Sequence, residues 1–149
     1  MTATRTARTR RWLVGPEQGA EHFLIDRQTY PAGVHVGLHV HDGEEAHLVE
    51  RGEVRFAVDG QRHVFRAGEI AFAPIGSEHG FVTLTEATMV TIREQRLGSR
   101  AIVIDPDGTR REVEIYRNGP PWSKQPPDGE ATTPDDQVES YYRTTEHLL

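Results

Sequence analysis

Short apolar stretches alternate with Gly, Asp and Pro residues along most of the chain, from Trp12 to about Leu97. Within several stretches, such as residues 54–58, apolar and other residues alternate with a period of two. Successive side chains of a strand point to opposite faces, so this pattern indicates strands with one buried face. No stretch of this region combines helical spacing of apolar residues with helix caps. The sequence therefore predicts an all-β sandwich or barrel.

Glycine-containing dipeptides mark turns between these strands. Asp59-Gly60 favours a tight hairpin turn between residues 54–58 and 63–65. Arg51-Gly52 could form a second hairpin turn, between residues 46–50 and 54–58.

The chain changes character after Gly98. Two more strand patterns flank a turn at residues 105–108, which predicts an extra hairpin. Proline then concentrates in residues 118–136, a composition that buries little apolar surface. We therefore divide the chain into a flexible basic N-terminal arm at 1–11, a barrel at 12–98, an additional β-hairpin at 99–117, and a Pro-rich connector, with a short C-terminal helix as one option, at 118–149.

Composition excludes several classes of protein. A chain of 149 residues suffices for one domain without covalent cross-links. It contains no cysteine, which excludes disulfides, iron–sulfur clusters and Cys-ligated zinc. No apolar run reaches the roughly 20 residues of a membrane-spanning helix, and no signal peptide is evident. We expect a soluble, cytoplasmic protein with no membrane partner.

Charge is distributed unevenly along the chain. The formal net charge is −6, yet the residues before Trp12 carry four arginines and no acidic residue. Such an arm can bind nucleic acid. Because no basic patch or cluster of stacking aromatic residues follows it, we interpret it as a solvated terminus and expect no nucleic-acid partner.

Three histidines and one glutamate are candidate metal ligands. His39 and His41 are two residues apart and therefore share one strand face. The turn chemistry around Gly43 allows Glu45 to return to the same point, and the rigid turn before His79 can bring a distant strand alongside. Neutral imidazoles with one carboxylate suit a first-row divalent metal. Open coordination positions beside four protein ligands would leave room for chemistry.

The spacing of these residues resembles the two sequence motifs of the cupin superfamily. The first stretch reads Gly33-x5-His39-x-His41-x3-Glu45-x6-Gly52, and the second reads Gly68-x5-Pro74-x-Gly76-x2-His79. The match covers roughly residues 30–83 and has the short gap between motifs of small, single-domain bacterial members. Thr83 stands where the second motif usually ends in Asn, a residue that is not a ligand in the family.

The resemblance implies a double-stranded β-helix, or jelly-roll, barrel of the small quercetinase-like type. It also implies one divalent transition metal (iron, nickel, manganese, cobalt, copper or zinc) bound by His39, His41, Glu45 and His79. Family members include dioxygenases that cleave flavonols, isomerases, decarboxylases, cyclases, and non-catalytic binding and storage proteins.

His47 is a second candidate for catalysis beside Glu45. It lies two residues after Glu45, so strand parity turns it inward, where it could orient a substrate anion or act as a general acid or base. A packed, hydrogen-bonded histidine is an equally good interpretation. Glu45 itself could take a hydroxyl proton from the substrate.

Three aromatic residues and one arginine are candidates for the substrate pocket. We expect Phe56, Phe72 and Phe81 to lie in the core or the pocket wall. Arg93 could bind a substrate carboxylate if its strand turns it inward, and is a solvated charge if it points outward.

The sequence is consistent with two classes of function. The first is a metal-dependent enzyme acting on a small oxygenated molecule, by dioxygenase chemistry or by non-redox isomerisation, cyclisation or decarboxylation. The second is a protein that binds a small molecule without turnover. A small barrel also has sheet edges that need covering, so we expect a homodimer in which the N-terminal strand or the added hairpin crosses to the partner.

Overall fold

The computed structural model describes residues 8–94, 100–114 and 149. These residues form eleven β-strands and one short 3-10 turn at Pro16–Gln18. None of them forms a helix long and apolar enough to cross a membrane. The strands are β1 (Thr9–Val14), β2 (Phe23–Tyr30), β3 (His35–His41), β4 (Glu45–Arg51), β5 (Glu53–Val58), β6 (Gln61–Arg66), β7 (Ile70–Ala73), β8 (His79–Thr83), β9 (Ala87–Glu94), β10 (Arg100–Ile104) and β11 (Arg110–Glu114).

The strands form two antiparallel sheets. One sheet has the order β1-β2-β9-β4-β7, and the other has the order β11-β10-β3-β8-β5-β6. Side chains from both inner faces meet in one core, as the period of two predicts. The core residues are Tyr30, Val36, Val49, Val54, Phe56, Ala71, Phe81, Ala87 and Met89. The predicted all-β jelly-roll architecture is confirmed.

The two predicted hairpin turns have different outcomes. β5 and β6 pair antiparallel, and both Asp59 (φ 47°) and Gly60 (φ 79°) have positive φ, as the tight turn requires. The hairpin predicted at Arg51-Gly52 is wrong, because β4 and β5 belong to different sheets. Gly52 instead forms a corner between the sheets, where an added Cβ would lie 2.2 Å from the carbonyl oxygen of Glu86.

The N-terminal segment is more ordered than the sequence suggested. β1 starts at Thr9, inside the range assigned to a flexible arm, and pairs with β2 from Thr9 to Val14. The bulky inner residues of β1 are arginine and tryptophan, a composition that concealed the strand from a search for apolar alternation. Residues 1–7 of the arm lie outside the described residues.

The predicted C-terminal hairpin corresponds to β10 and β11, which pair along their whole length. β10 also pairs with β3, placing Ala101 opposite His41 and Val103 opposite His39. The hairpin therefore extends the sheet that carries the two histidines. Apart from Leu149, which is buried and accepts a hydrogen bond from Arg55 Nε at its carbonyl oxygen, the predicted connector and helix lie outside the described residues.

Candidate metal centre

The four candidate ligands come from three strands and are all buried. His39 and His41 lie at the end of β3, Glu45 opens β4, and His79 opens β8. Their exposed fractions lie between 4% and 8%. The backbone packs tightly where β3 leads into β4, because a Cβ on Gly43 would lie 1.9 Å from the carbonyl oxygen of Glu94. A glycine is therefore needed between the two ligand-bearing strands.

The ligand atoms converge on one point. One donor atom from each of the four residues lies within 4.8 Å of all the others. Oε2 of Glu45 lies 2.6 Å from Nε2 of His41 and 3.1 Å from Nε2 of His79. The ring centroids of His39 and His79 are 4.3 Å apart. Such close packing of imidazoles around one carboxylate is unusual in a core that serves packing alone.

Backbone hydrogen bonds fix which nitrogen of two histidines faces this point. Nδ1 of His39 donates to the carbonyl oxygen of Gly37 at 2.8 Å, and Nδ1 of His79 donates to that of Ser77 at 3.0 Å. With the proton held on Nδ1, each ring can offer its Nε2 lone pair to a metal ion once any proton on Nε2 is lost. Hydrogen bonds of this kind orient metal-binding histidines in proteins.

The electrostatics of the cluster keep its carboxylate charged. Burial lowers the pKa of His39 well below its usual value, and the neighbouring His79 and His41 lower it further. Burial alone would raise the pKa of Glu45, but the charge of His47 and hydrogen bonds from His41, His47 and His79 hold it well below the usual value. Burial likewise opposes protonation of His79, yet its hydrogen bond and ion pair with Glu45 raise its pKa.

This donor set fits a metal ion. Three imidazoles and a carboxylate suit first-row divalent cations, with typical bonds of about 2.0–2.2 Å to zinc. The donor atoms already lie within 4.8 Å of one another, so one ion could contact all four after small shifts of the side chains. The cluster can therefore bind one metal ion; its donor atoms alone do not select which.

Comparison with known proteins agrees with this geometry. Residues 26–93, which include all four ligands, match the family model described as a cupin domain. The matched region is a cupin domain. This confirms the resemblance inferred from the two motifs. No curated protein matches the sequence of this cupin.

Solved structures share the fold at low sequence identity. A predicted oxalate decarboxylase from Thermotoga maritima is 24% identical (TM-score 0.55; 60% of this cupin and 81% of that chain). An RmlC-like cupin from Shewanella frigidimarina is 22% identical, with a TM-score of 0.55 over 60% of this chain and 78% of that chain. The salicylate 1,2-dioxygenase from Pseudoaminobacter salicylatoxidans is 13% identical, with a TM-score of 0.52 over 59% of this chain and 25% of that chain. At these identities the likeness concerns the fold alone.

His47 faces inward, as strand parity predicted, and both of its ring nitrogens have partners. Nδ1 lies 2.9 Å from the hydroxyl of Thr91, and Nε2 lies 3.3 Å from Oε1 of Glu45. Its ring also packs against those of Phe56 and Phe81, with centroids 5.0 and 5.9 Å away. This arrangement favours the interpretation of a packed histidine that positions Glu45.

Arg93 also faces inward, the less common of its two expected orientations. Its Nε lies 3.5 Å from Oε1 of Glu45, and its Nη2 lies 3.7 Å from Oδ1 of Asp26. The side chain is only 10% exposed. Arg93 thus links the candidate ligand Glu45 to a second buried carboxylate.

Two of the three predicted pocket aromatics lie inside the barrel. Phe56 and Phe81 are buried, with ring centroids 5.1 Å apart. The prediction for Phe72 is wrong: its side chain is 51% exposed. Within β7, Ala71 and Ala73 take the inward positions, so Phe72 and Ile70 point out of the sheet.

Sequence reasoning missed several buried polar residues near the ligands. Asp26, Gln28 and Thr91 are almost completely buried on β2 and β9. The sequence did indicate their inward orientation. Asp26 and Gln28 alternate with a period of two with Leu24 and Tyr30, whose apolar or aromatic side chains are typical of a core. A polar residue at an inward position indicates either a buried network or a binding site.

Proposed function

We propose that this cupin is a metal-dependent enzyme that acts on a small oxygenated organic molecule, by dioxygenase-type chemistry. The observation that carries the proposal is the buried convergence of three histidines and Glu45 on one point inside the barrel. A redox-active divalent metal held there would polarise a bound substrate oxygen and provide chemistry with dioxygen.

The side chains around the ligands support this function through position and charge. His47 and Arg93 both contact Oε1 of Glu45 and so fix the orientation of the carboxylate. The lowered pKa of Glu45 keeps it ionised, which suits a ligand better than a strong general base. Phe56 and Phe81 form an apolar layer against His47, which keeps water from that side of Glu45.

Metal analysis and oxygen consumption test the proposal together. Protein purified without added metal should retain about one equivalent of iron, nickel or manganese. It should also consume dioxygen with at least one compound in panels of flavonols, β-diketones and small hydroxy acids. Zinc as the retained metal, with no oxygen consumption, would contradict the dioxygenase chemistry and favour non-redox isomerisation, cyclisation or decarboxylation. Metal without any turnover would favour a binding protein.

A further inference from the structure

Four charged residues of alternating sign form a row across the inner face of one sheet. They are Arg10 on β1, Asp26 on β2, Arg93 on β9 and Glu45 on β4. These strands are neighbours in that order within the sheet. The side chains of Asp26, Arg93 and Glu45 are at most 10% exposed. The row therefore connects β1 with a candidate metal ligand through the interior of the barrel.

The register of the sheet places Arg93 between the two carboxylates. Glu45 lies directly opposite Arg93 where β4 pairs with β9. On the other side of β9, Asp26 lies opposite Thr91, two residues from Arg93 and on the same face. Side chains at such diagonal positions can reach one another when one of them is long. Arg93 can thus contact both carboxylates from its own strand.

The two carboxylates face different nitrogen atoms of Arg93. Nη2 lies 3.7 Å from Oδ1 of Asp26, and Nε lies 3.5 Å from Oε1 of Glu45. The second oxygen of Asp26, Oδ2, lies 2.9 Å from Nε of Arg10 and accepts a hydrogen bond of 2.8 Å from Gln28. Oδ1 is buried and accepts no hydrogen bond from the described residues, so its contact with Arg93 is purely electrostatic.

Burial makes the position of Arg93 depend on Asp26. Ion pairs removed from water are weakly screened, and taking away one partner leaves a buried charge with less compensation. Asp26 also places negative charge beyond Arg93, which offsets the repulsion between Arg93 and a cation bound at Glu45. Both effects act in the same direction, because each favours a cation at the ligand cluster.

We propose that Asp26 is a positioning residue for the candidate metal ligand Glu45, acting through Arg93. Asp26 holds the guanidinium of Arg93 beside Oε1 of Glu45. The carboxylate is then oriented with Oε2 towards the histidine ligands. This inference rests on the proposed function in one respect, namely that a metal ion binds at the cluster. It adds that metal affinity depends on a residue of β2, a strand that carries none of the four candidate ligands.

Titration with cobalt(II) tests this role without requiring a substrate. The visible absorption of bound Co²⁺ reports both its affinity and its ligand geometry. Asp26→Asn keeps the size of the side chain and removes its charge. It should weaken Co²⁺ binding about tenfold, the lower end of the usual effect of losing a partner behind a metal ligand. The absorption bands should also shift, because Glu45 is no longer held in the same orientation.

Gln28→Met is the matched control for this variant. Gln28 lies on the same strand as Asp26, is 1% exposed and donates to it. The control therefore disturbs the same buried cluster without removing the charge beside Arg93. It should lower the free energy of unfolding, but it should leave the absorption bands unchanged and Co²⁺ affinity within about twofold.

Arg93→Lys is a second variant, which carries the test if Asp26→Asn does not fold. Lysine keeps the positive charge of Arg93 but lacks the planar fork that faces both carboxylates. It should weaken Co²⁺ binding about tenfold.

Double variants test whether Asp26 acts through Arg93. In an Arg93→Gln background, Asp26→Asn should change Co²⁺ affinity by less than about twofold. Urea denaturation of metal-free protein compares Asp26→Asn, Glu45→Gln and the double variant. The unfolding equilibrium constant of the double variant should differ at least about fivefold from the value expected if the single effects were independent. This coupling should disappear in the Arg93→Gln background.

The outcomes separate this inference from the proposed function. Unchanged Co²⁺ affinity in Asp26→Asn or in Arg93→Lys, equal weakening in Gln28→Met, or an effect of Asp26→Asn that persists in the Arg93→Gln background would overturn the positioning role. The expected affinities in a protein that consumes no dioxygen would contradict the proposed chemistry alone. If the unmodified protein binds no Co²⁺, the proposed function fails and the metal-free comparison decides: coupling supports the link from Asp26 to Glu45, and independent effects overturn it.

Discussion

Nε2 of His47 lies 3.3 Å from Oε1 of Glu45, while the other carboxylate oxygen, Oε2, lies 2.6 and 3.1 Å from Nε2 of His41 and of His79. The two oxygens of one carboxylate therefore have different partners. Oε2 belongs to the ligand cluster, and Oε1 is held by His47 together with Arg93. Hydrogen-bond partners of this kind orient metal ligands and tune metal affinity.

Replacing His47 tests this positioning role. His47→Phe should fit beside Phe56 and Phe81 but removes the contact to Oε1 of Glu45. We expect metal affinity to fall by about 10- to 100-fold, the usual effect of losing a hydrogen-bond partner behind a ligand. Competition with a fluorescent chelator measures it.

The matched control for this experiment is His63→Phe, since His63 lies on β6 and is exposed. It should retain the metal affinity of the unmodified protein. A His47→Phe protein with unchanged metal affinity but reduced turnover would instead assign His47 to catalysis.

Thr91 supports His47 from the far side. Its hydroxyl lies 2.9 Å from Nδ1 of His47, and the residue is 1% exposed. Thr91→Val keeps the shape but leaves a buried ring nitrogen without this partner, which should lower the free energy of unfolding by about 1–3 kcal/mol. Thr91→Ser keeps the hydroxyl and should lose clearly less. Urea denaturation of both variants measures the difference; equal losses would show that shape, and not the hydrogen bond, matters at this position.

Metal binding should stabilise the folded protein. The ligands converge only when β3, β4 and β8 are in place, so the native state binds the ion far better than the unfolded chain does. At a free metal concentration of 100 times Kd, the gain is about 2.7 kcal/mol. Thermal denaturation with and without metal checks this.

Two variants test whether the stabilising metal ion binds at this cluster. Glu45→Gln should abolish most of the metal-dependent shift in Tm, because the charged ligand is lost. His22→Ala should keep the full shift, because His22 is half exposed and stands outside the cluster. A shift that survives in Glu45→Gln would locate the stabilising metal elsewhere.

The cluster of candidate metal ligands was predictable because most of the information that specifies it is local in the sequence. His39 and His41 share a strand face by parity alone, and the spacing to Glu45 is set by one turn. Predicting that His79 joins the cluster required the second motif, because β3 and β8 are distant in sequence and become neighbours only in the folded sheet. The motifs carried that long-range information, and the fold confirmed it.

The errors arose where sheet assignment decides orientation. Gly52 has the sequence signature of a hairpin turn. It lies at a corner between the sheets instead, because β4 pairs with β9 and β5 pairs with β8. Phe72 looks like a core residue, yet alanines occupy the inward positions of β7. Arg10 looked like part of a solvated arm, because its partner Asp26 lies on a different strand. Pairings between strands of this kind have no local signal in the sequence.

The outward orientation of Phe72 leads to a last prediction, on assembly. Ile70 and Phe72 are 59% and 51% exposed on β7, and the register continues the apolar face through Ala46 and Leu48 of β4. Exposed apolar patches of this kind commonly mark protein interfaces. β7 is also an edge strand of its sheet, and edges are often protected by pairing. We propose that a second copy of the chain covers this face in a symmetric dimer.

Sedimentation equilibrium over a range of protein concentrations tests this assembly. The unmodified protein should dimerise at micromolar concentration, and Phe72→Glu should weaken association at least about 100-fold, because each dimer would bury two unpaired carboxylates. Leu84→Glu is the control, since Leu84 is also exposed but follows β8 in the other sheet. If the unmodified protein stays monomeric at about 100 micromolar, or if both variants weaken association equally, this face is not the interface; the sheet edge at β7 would then need another explanation for its exposed apolar side chains.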